Sequence, residues 1–406
     1  MSLHSHSKKR AIARGTFVAG IVIVIAVAAI GVYYVATLPS PSPTSKLTIG
    51  VVYDTGGKGD KSFNDMAYAG VLNANKTLGV NYIEEGSSTA SDYVPNIEYL
   101  ISKNVSLIVC VGFLMDDAVA SEAAAHPNML FAQVDGDVYN MSNVVAIKFE
   151  EHVGSALVGA LAVAMSKTGT IGFIGGMDVG IIHKFWHGYV YGVQWANNYL
   201  GKNVALLPAQ YCGTTPAAWD APDVASAIAQ SQMQKGADII FAAAGASGIG
   251  LFNAVGAADQ ATSWGWSNST APKYFAIGVD ADQDYYGTYQ YFVQKNTNGP
   301  FSPPSFVLTS EIKRVDIGVY TVINSVVAGN YSNIYNNPQT YAPTYWNGPT
   351  MFNTRGVLLL GLSSNAVGPT QFLYTSQYLT PTAKTVLQQL TAAILNGTAT
   401  VPEDYT

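Results

Sequence analysis

Charge is what this 406-residue chain lacks most: Asp, Glu, Lys and Arg together make 11% of it, against about 25% in ordinary soluble proteins. The 20 Lys+Arg and 26 Asp+Glu leave a net charge of −6. No basic excess is available to meet nucleic-acid phosphates. With only two cysteines, Cys110 and Cys212, a disulfide framework or a Cys-rich zinc site is excluded, and the sequence leaves open whether the two pair. Disorder is excluded by the 49% apolar content and the 25 tyrosines, because disordered chains are poor in both. What remains is a chain able to bury large cores under a surface of neutral polar groups. Its length suits two or three domains.

Gly15 to Leu38 carries no charge and is preceded by Lys8, Lys9, Arg10 and Arg14. Twenty-four residues span roughly 36 Å as a helix, enough for a ~30 Å hydrocarbon core. The basic flank places residues 1–14 in the cytoplasm and the bulk outside. The expectation is a transmembrane anchor or uncleaved signal helix over 15–38, with a cleaved signal peptide as the rival. Residues 39–46, rich in Pro and Ser, read as a semi-rigid spacer. Beyond it, 16 Lys+Arg face 26 Asp+Glu, a net of −10. Sequons at Asn75, Asn104, Asn140, Asn268, Asn330 and Asn396 suit an external, glycosylated surface.

The remainder repeats itself. Phe63–Gly79 (FNDMAYAGVLNANKTLG) matches Phe185–Gly201 (FWHGYVYGVQWANNYLG), pairing Phe63 with Phe185 and Gly70 with Gly192. Downstream, KNVSLIV resembles KGADIIF, and PNMLFAQVDGD resembles PKYFAIGVDAD, in the same order. Short apolar runs at Leu47–Tyr53, Ser106–Val111, Met129–Val134, Thr170–Ile174, Asp238–Ala243 and Tyr274–Val279 predict buried parallel strands. Helical patterns lie between them. The reading is an α/β clamshell of two lobes with parallel sheets. Lobe 1 is expected to take 47–166 plus about 311–330, and lobe 2 to take 167–310 plus about 331–406.

Ligands of open α/β sheets bind beyond the carboxyl ends of the strands. Asp54, Asp135 and Asp280 fall there. A carboxylate accepts two hydrogen bonds from vicinal hydroxyls or from base N–H groups, which favours a neutral ligand over a phosphate. The loop DTGGKGDKSFN lacks the Gly-Lys-Ser/Thr ending of a phosphate loop. Either Ser62 or Asp60 could cap the helix that follows, and Phe63 could be core or an aromatic platform. A second loop, Ala244 to Gly250, offers N–H groups at a helix start but is no serine-hydrolase elbow, since position 249 is Ile. His183 and His187 have zinc spacing without a third ligand. No catalytic residue, metal ligand or cofactor is assigned.

These segments resemble the basic membrane protein family of ABC-transporter substrate-binding proteins, the nucleoside-receptor type. The resemblance is carried by DTGGKGDKSFN, KTGTIGFIGGMD, GADIIFAAAG, IGVDADQ and LTSEIKRVD. It implies a type I periplasmic-binding-protein clamshell that closes by a hinge on a nucleoside, purines favoured. It also implies that ABC permease and ATPase subunits supply the energy. The implied ligand contacts are Asp54, Phe63 with its neighbours Ser62 and Asn64, Asp135, Gly245, Asp280 and Lys313. Trp219, with Tyr211 as competitor, would be the opposing aromatic. Asp280 and Lys313 would meet sugar hydroxyls, and Asp54 and Asp135 the base or ribose edge. A monomer on the outer cell surface is expected. A sugar or other small-metabolite receptor on the same fold is the alternative, with a nucleoside-hydrolysing enzyme or a sensor ectodomain further behind.

Overall fold

In the computed structural model, residues 46–262, 264–336 and 356–404 are described. The expected anchor at 15–38 and nearly all of the spacer lie outside them. In chain order the elements are β1 (Thr48–Tyr53), α1 (Phe63–Leu78), β2 (Asn81–Gly86), α2 (Tyr93–Ser102), β3 (Leu107–Val111), α3 (Asp116–Ala125), β4 (Phe131–Val134) and β5 (Val144–Phe149). Next come α4 (Glu151–Met165), β6 (Thr170–Met177), α5 (Gly180–Leu200), β7 (Ala205–Leu206), β8 (Gln210–Gly213), α6 (Pro222–Gln234), β9 (Ile239–Ala243), α7 (Ile249–Gln260) and β10 (Phe275–Asp280). The last are α8 (Tyr289–Phe292), β11 (Val307–Lys313), α9 (Val315–Val327), α10 (Tyr331–Asn336), β12 (Val357–Leu360), β13 (Val367–Pro369) and α11 (Pro381–Leu395).

Two sheets result. The first runs β12-β5-β4-β3-β1-β2 and the second β13-β11-β10-β9-β6-β7, with β8 also on β6. All pairings are parallel except β11 with β13. The alternation of strand side chains explains the unbroken apolar runs. On β3, Leu107, Val109 and Val111 face the core that includes α1 and α9, while Ile108 and Cys110 face α2 and α3. Both faces are covered, so every position is apolar. Cys110 is thus a buried small hydrophobe, and Cys212, in the other sheet, is likewise a free thiol.

The internal repeat has a packing cause. A Cβ on Gly70 would sit 2.6 Å from the Asp316 carbonyl oxygen on α9. On Gly192 it would collide with the Ala156 carbonyl on α4. In each lobe the repeated glycine lets its helix press against a neighbour's backbone. Helix α4 is buried at all fifteen positions, as its all-round apolar sequence requires.

The chain crosses between lobes at different places from those expected. It crosses first at Glu150, so α4 packs on α5 in the second lobe rather than closing the first. Residues 311–313 complete a strand of the second sheet, and the return crossing is at Arg314. Residues 331–336 and 357–360, expected in lobe 2, belong to the first: β12 pairs with β5, and the Tyr331 hydroxyl donates to the Phe131 carbonyl at 2.6 Å. A third crossing between β12 and β13 returns the chain to the second lobe. The physical reason is edge satisfaction: β5 would otherwise present unpaired backbone groups.

Candidate functional site: the interlobe cleft

Three strands aim aspartates at one place. Asp54 follows β1, Asp135 follows β4, and Asp280 ends β10. Asp135 and Asp280, the equivalent residues of the repeat, share a left-handed backbone with φ of 60° and 61°. Short polar side chains tolerate that region, where it re-aims a side chain out of the strand line. All three are at most 6% exposed.

The loop after β1 divides its duties. Asp60 accepts from the backbone N–H groups of Ser62, Asn64 and Asp65 at 2.9, 2.8 and 3.1 Å. It thereby satisfies the orphan donors at the start of α1, so the cap is Asp60. Ser62 is released to reach across the cleft, donating to Asp280 Oδ2 at 2.7 Å. Asn64 Nδ2 donates to Asp54 Oδ1 at 3.1 Å, and the Gly56 N–H donates to the same oxygen at 2.9 Å. Asn64 Oδ1 and Asp135 Oδ1 are buried with no hydrogen-bond partner.

At the centre is Lys313, 1% exposed at the end of β11. Its ammonium pairs with Asp135 Oδ2 at 2.6 Å, joining the lobes. It lies 5.3 Å from the ring centroids of Phe63 and Phe149 and 5.6 Å from that of Phe185. Burial works against the charge, but Asp135, Glu151 and Asp280 outweigh it and hold its pKa above the ordinary lysine value. Desolvation pushes Asp54 up to about 6 and Asp280 up to about 7. Lys313 and the Ser62 hydrogen bond oppose the shift at Asp280.

A cavity enclosing about 590 Å³, its open mouth included, lies between the lobes. It is lined by eight of the nine expected residues: Asp54, Phe63, Asn64 and Asp135 from one lobe, and Trp219, Gly245, Asp280 and Lys313 from the other. Ser62 stands behind it, holding Asp280. Gly245 has φ of 54°, a left-handed backbone that favours glycine, and it lies beside Trp219. Tyr211 instead packs against Gly175 and the His183 ring. The wall also contains Phe113, Ile181, Ile182 and Phe185, which the sequence reading did not single out. Phe185 had a signal: it is the repeat partner of Phe63. Phe113 had none. His183 turns to Asp178 at 2.6 Å and His187 to the Glu403 carbonyl at 3.0 Å.

The arrangement presents flat apolar rings, carboxylates able to accept hydrogen bonds, and one cation already neutralised. It suits an uncharged guest with a planar part and several donors.

Known proteins place the chain. The Bmp family, described as ABC transporter substrate-binding protein PnrA-like, matches residues 46–337. An uncharacterised lipoprotein of Pyrococcus furiosus is 32% identical over 328 residues, 80% of this chain and 70% of the relative. The ABC transporter nucleoside-binding protein BmpA of Lactococcus lactis is 31% identical over 324 residues, 76% of this chain and 86% of that protein. Among solved structures, a solute-binding protein of an Aeropyrum pernix ABC transporter system aligns with a TM-score of 0.67 at 24% identity, covering 88% and 94% of the two chains. A transcriptional activator from Bacillus halodurans gives 0.61 at 19% identity, covering 87% and 99%. At these identities the structures establish the fold alone: a two-domain, periplasmic-binding-protein-like α/β architecture. From its sequence match, the chain belongs to the Bmp family of PnrA-like ABC-transporter substrate-binding proteins.

Proposed function

We propose that this substrate-binding protein takes a nucleoside, purines favoured, into the interlobe cleft. As in other ABC importers, the binding protein captures a small molecule and works with permease and ATPase subunits. The observation that carries the nucleoside reading is the lining of the cavity: Phe63 and Trp219 on opposite lobes, with Asp54, Asp135, Asp280 and Lys313 beside them. The rings take the faces of a base. The carboxylates take its N–H groups or the ribose hydroxyls. A phosphate would be desolvated against three carboxylates and is disfavoured. The printed name of the Lactococcus relative supports the same class.

Ligand binding to both lobes shifts an open–closed equilibrium about the crossings at Glu150, Arg314 and 361–366. Residues 15–38 hold the domain at the outer membrane face, and the six exposed sequon asparagines agree with an external surface. Calorimetric titration with guanosine, adenosine, inosine, uridine and D-ribose tests the reading. Heat with purine nucleosides is expected. Binding of ribose with no nucleoside competition, or no heat with any nucleoside for the folded protein, rejects it. Extraction of the membrane fraction with alkaline carbonate tests the anchor. Release into the supernatant opposes it.

A further inference from the structure

Away from the cleft, the first lobe carries a second cluster of donor atoms. Glu98 lies on α2, Glu122 near the end of α3, and His126 immediately beyond it. One ligating atom from each falls within 4.8 Å of the others. His126 Nε2 stands 3.0 Å from Glu98 Oε1 and 3.5 Å from Glu122 Oε2. A single ring nitrogen therefore faces two carboxylates. A proton on it serves one of them, and the shorter contact is to Glu98. Glu122 Oε2 is left without a hydrogen-bond partner, on a residue only 6% exposed.

Two of the three spacings are close to those of a coordination shell, and the third pair, Glu98 with Glu122, lies within 4.8 Å. Metal–nitrogen bonds of ~2.0–2.1 Å and metal–oxygen bonds of ~2.0–2.2 Å place tetrahedral ligand atoms about 3.3 Å apart. The observed 3.0 and 3.5 Å bracket that value. The backbone beneath the imidazole is already fixed. His126 N–H donates to the Glu122 carbonyl at 2.9 Å. Buried Asn143 donates to the carbonyls of Ala123, His126 and Met129 at 2.9, 3.2 and 3.1 Å. Glu98, half exposed, leaves an entry path. One imidazole with two carboxylates suits zinc-like ions, whereas Mg²⁺ and Ca²⁺ prefer all-oxygen shells.

We propose that Glu98, Glu122 and His126 form a divalent transition-metal site, Zn²⁺ foremost, that clips α2 to α3. Water completes the fourth position. None of the three residues lines the interlobe cavity, so the clip adds stability without touching the transported ligand.

The test uses the full chain, stripped with chelator and carrying His4→Ala and His6→Ala to silence the N-terminal histidines. Titration with ZnCl₂ is expected to show one saturable site. Glu98→Gln and His126→Asn should each weaken it at least ~10-fold. Zn²⁺ should raise the melting temperature of the parent and of neither variant. Glu98 is exposed, so its variant keeps the fold, and the metal-free melting temperature checks this. Zn²⁺ binding of equal strength in parent and variants, or no Zn²⁺-dependent rise in the parent, overturns the proposal.

Discussion

Lys313 shows how a buried charge can be neutralised within the wall of a binding cleft. Its ammonium is met by Asp135 at 2.6 Å and ringed by Phe63, Phe149 and Phe185. Removing one partner of such a pair strands the other in low dielectric, at roughly 3–5 kcal/mol. Asp135→Ala should therefore lower the melting temperature even without ligand. An unchanged melting temperature would show that the pair is not desolvated as described. Phe63, half-buried at the cavity wall, is a different case. Phe63→Ala should weaken nucleoside binding by about 1–3 kcal/mol, and an unaltered dissociation constant would return Phe63 to the core. At Asp280 the folded pKa, near 7, lies above the ordinary value. Between about pH 4 and pH 7 the native state then holds a proton that the unfolded chain has lost, so stability falls as pH rises through that window. Asp54, at about 6, adds to the same slope. Melting curves of the ligand-free protein should decline from pH 5 to pH 7, and Asp280→Asn should flatten the decline. A slope identical to the parent's would sink this account.

Among elements, the repeated helix start is the clearest case of a pattern with a mechanical reason. Gly70 and Gly192 each lie against the carbonyl of a packed neighbour. Gly192→Ala must push α5 off α4, and overpacking of this kind costs about 1–3 kcal/mol or more. A melting temperature within a degree of the parent's would refute the close contact. The strands with unbroken apolar runs were readable because burial on both faces leaves no polar position. Asn81–Gly86 was not, because it is an edge strand of partly exposed polar residues. β11 was not readable either, since its buried Glu311 breaks the apolar pattern of a central strand. Cleft residues at strand ends were readable from their place after apolar runs, and most others came through the family motifs. Phe113 was not readable, because it reaches the cavity only through the turn that follows β3.

For the whole molecule, three crossings and several polar bonds join the halves. Ser62 reaches Asp280, Gln283 donates to the Lys61 carbonyl at 2.9 Å, and Lys313 meets Asp135. Ligand should therefore change the radius of gyration modestly and in one direction. Small-angle scattering with saturating nucleoside is expected to show a contraction, and no change or an expansion would contradict hinge closure. One consequence of the topology concerns synthesis. The strand at 357–360 borders the first sheet beside 144–149 yet follows nearly all of the second lobe in sequence. A ribosome must translate through residues 357–360, more than two hundred residues beyond 144–149, before the earlier half can seal its margin. Until then, the nascent polypeptide offers a raw β-edge to its surroundings, the kind of exposed margin on which stray pairing begins.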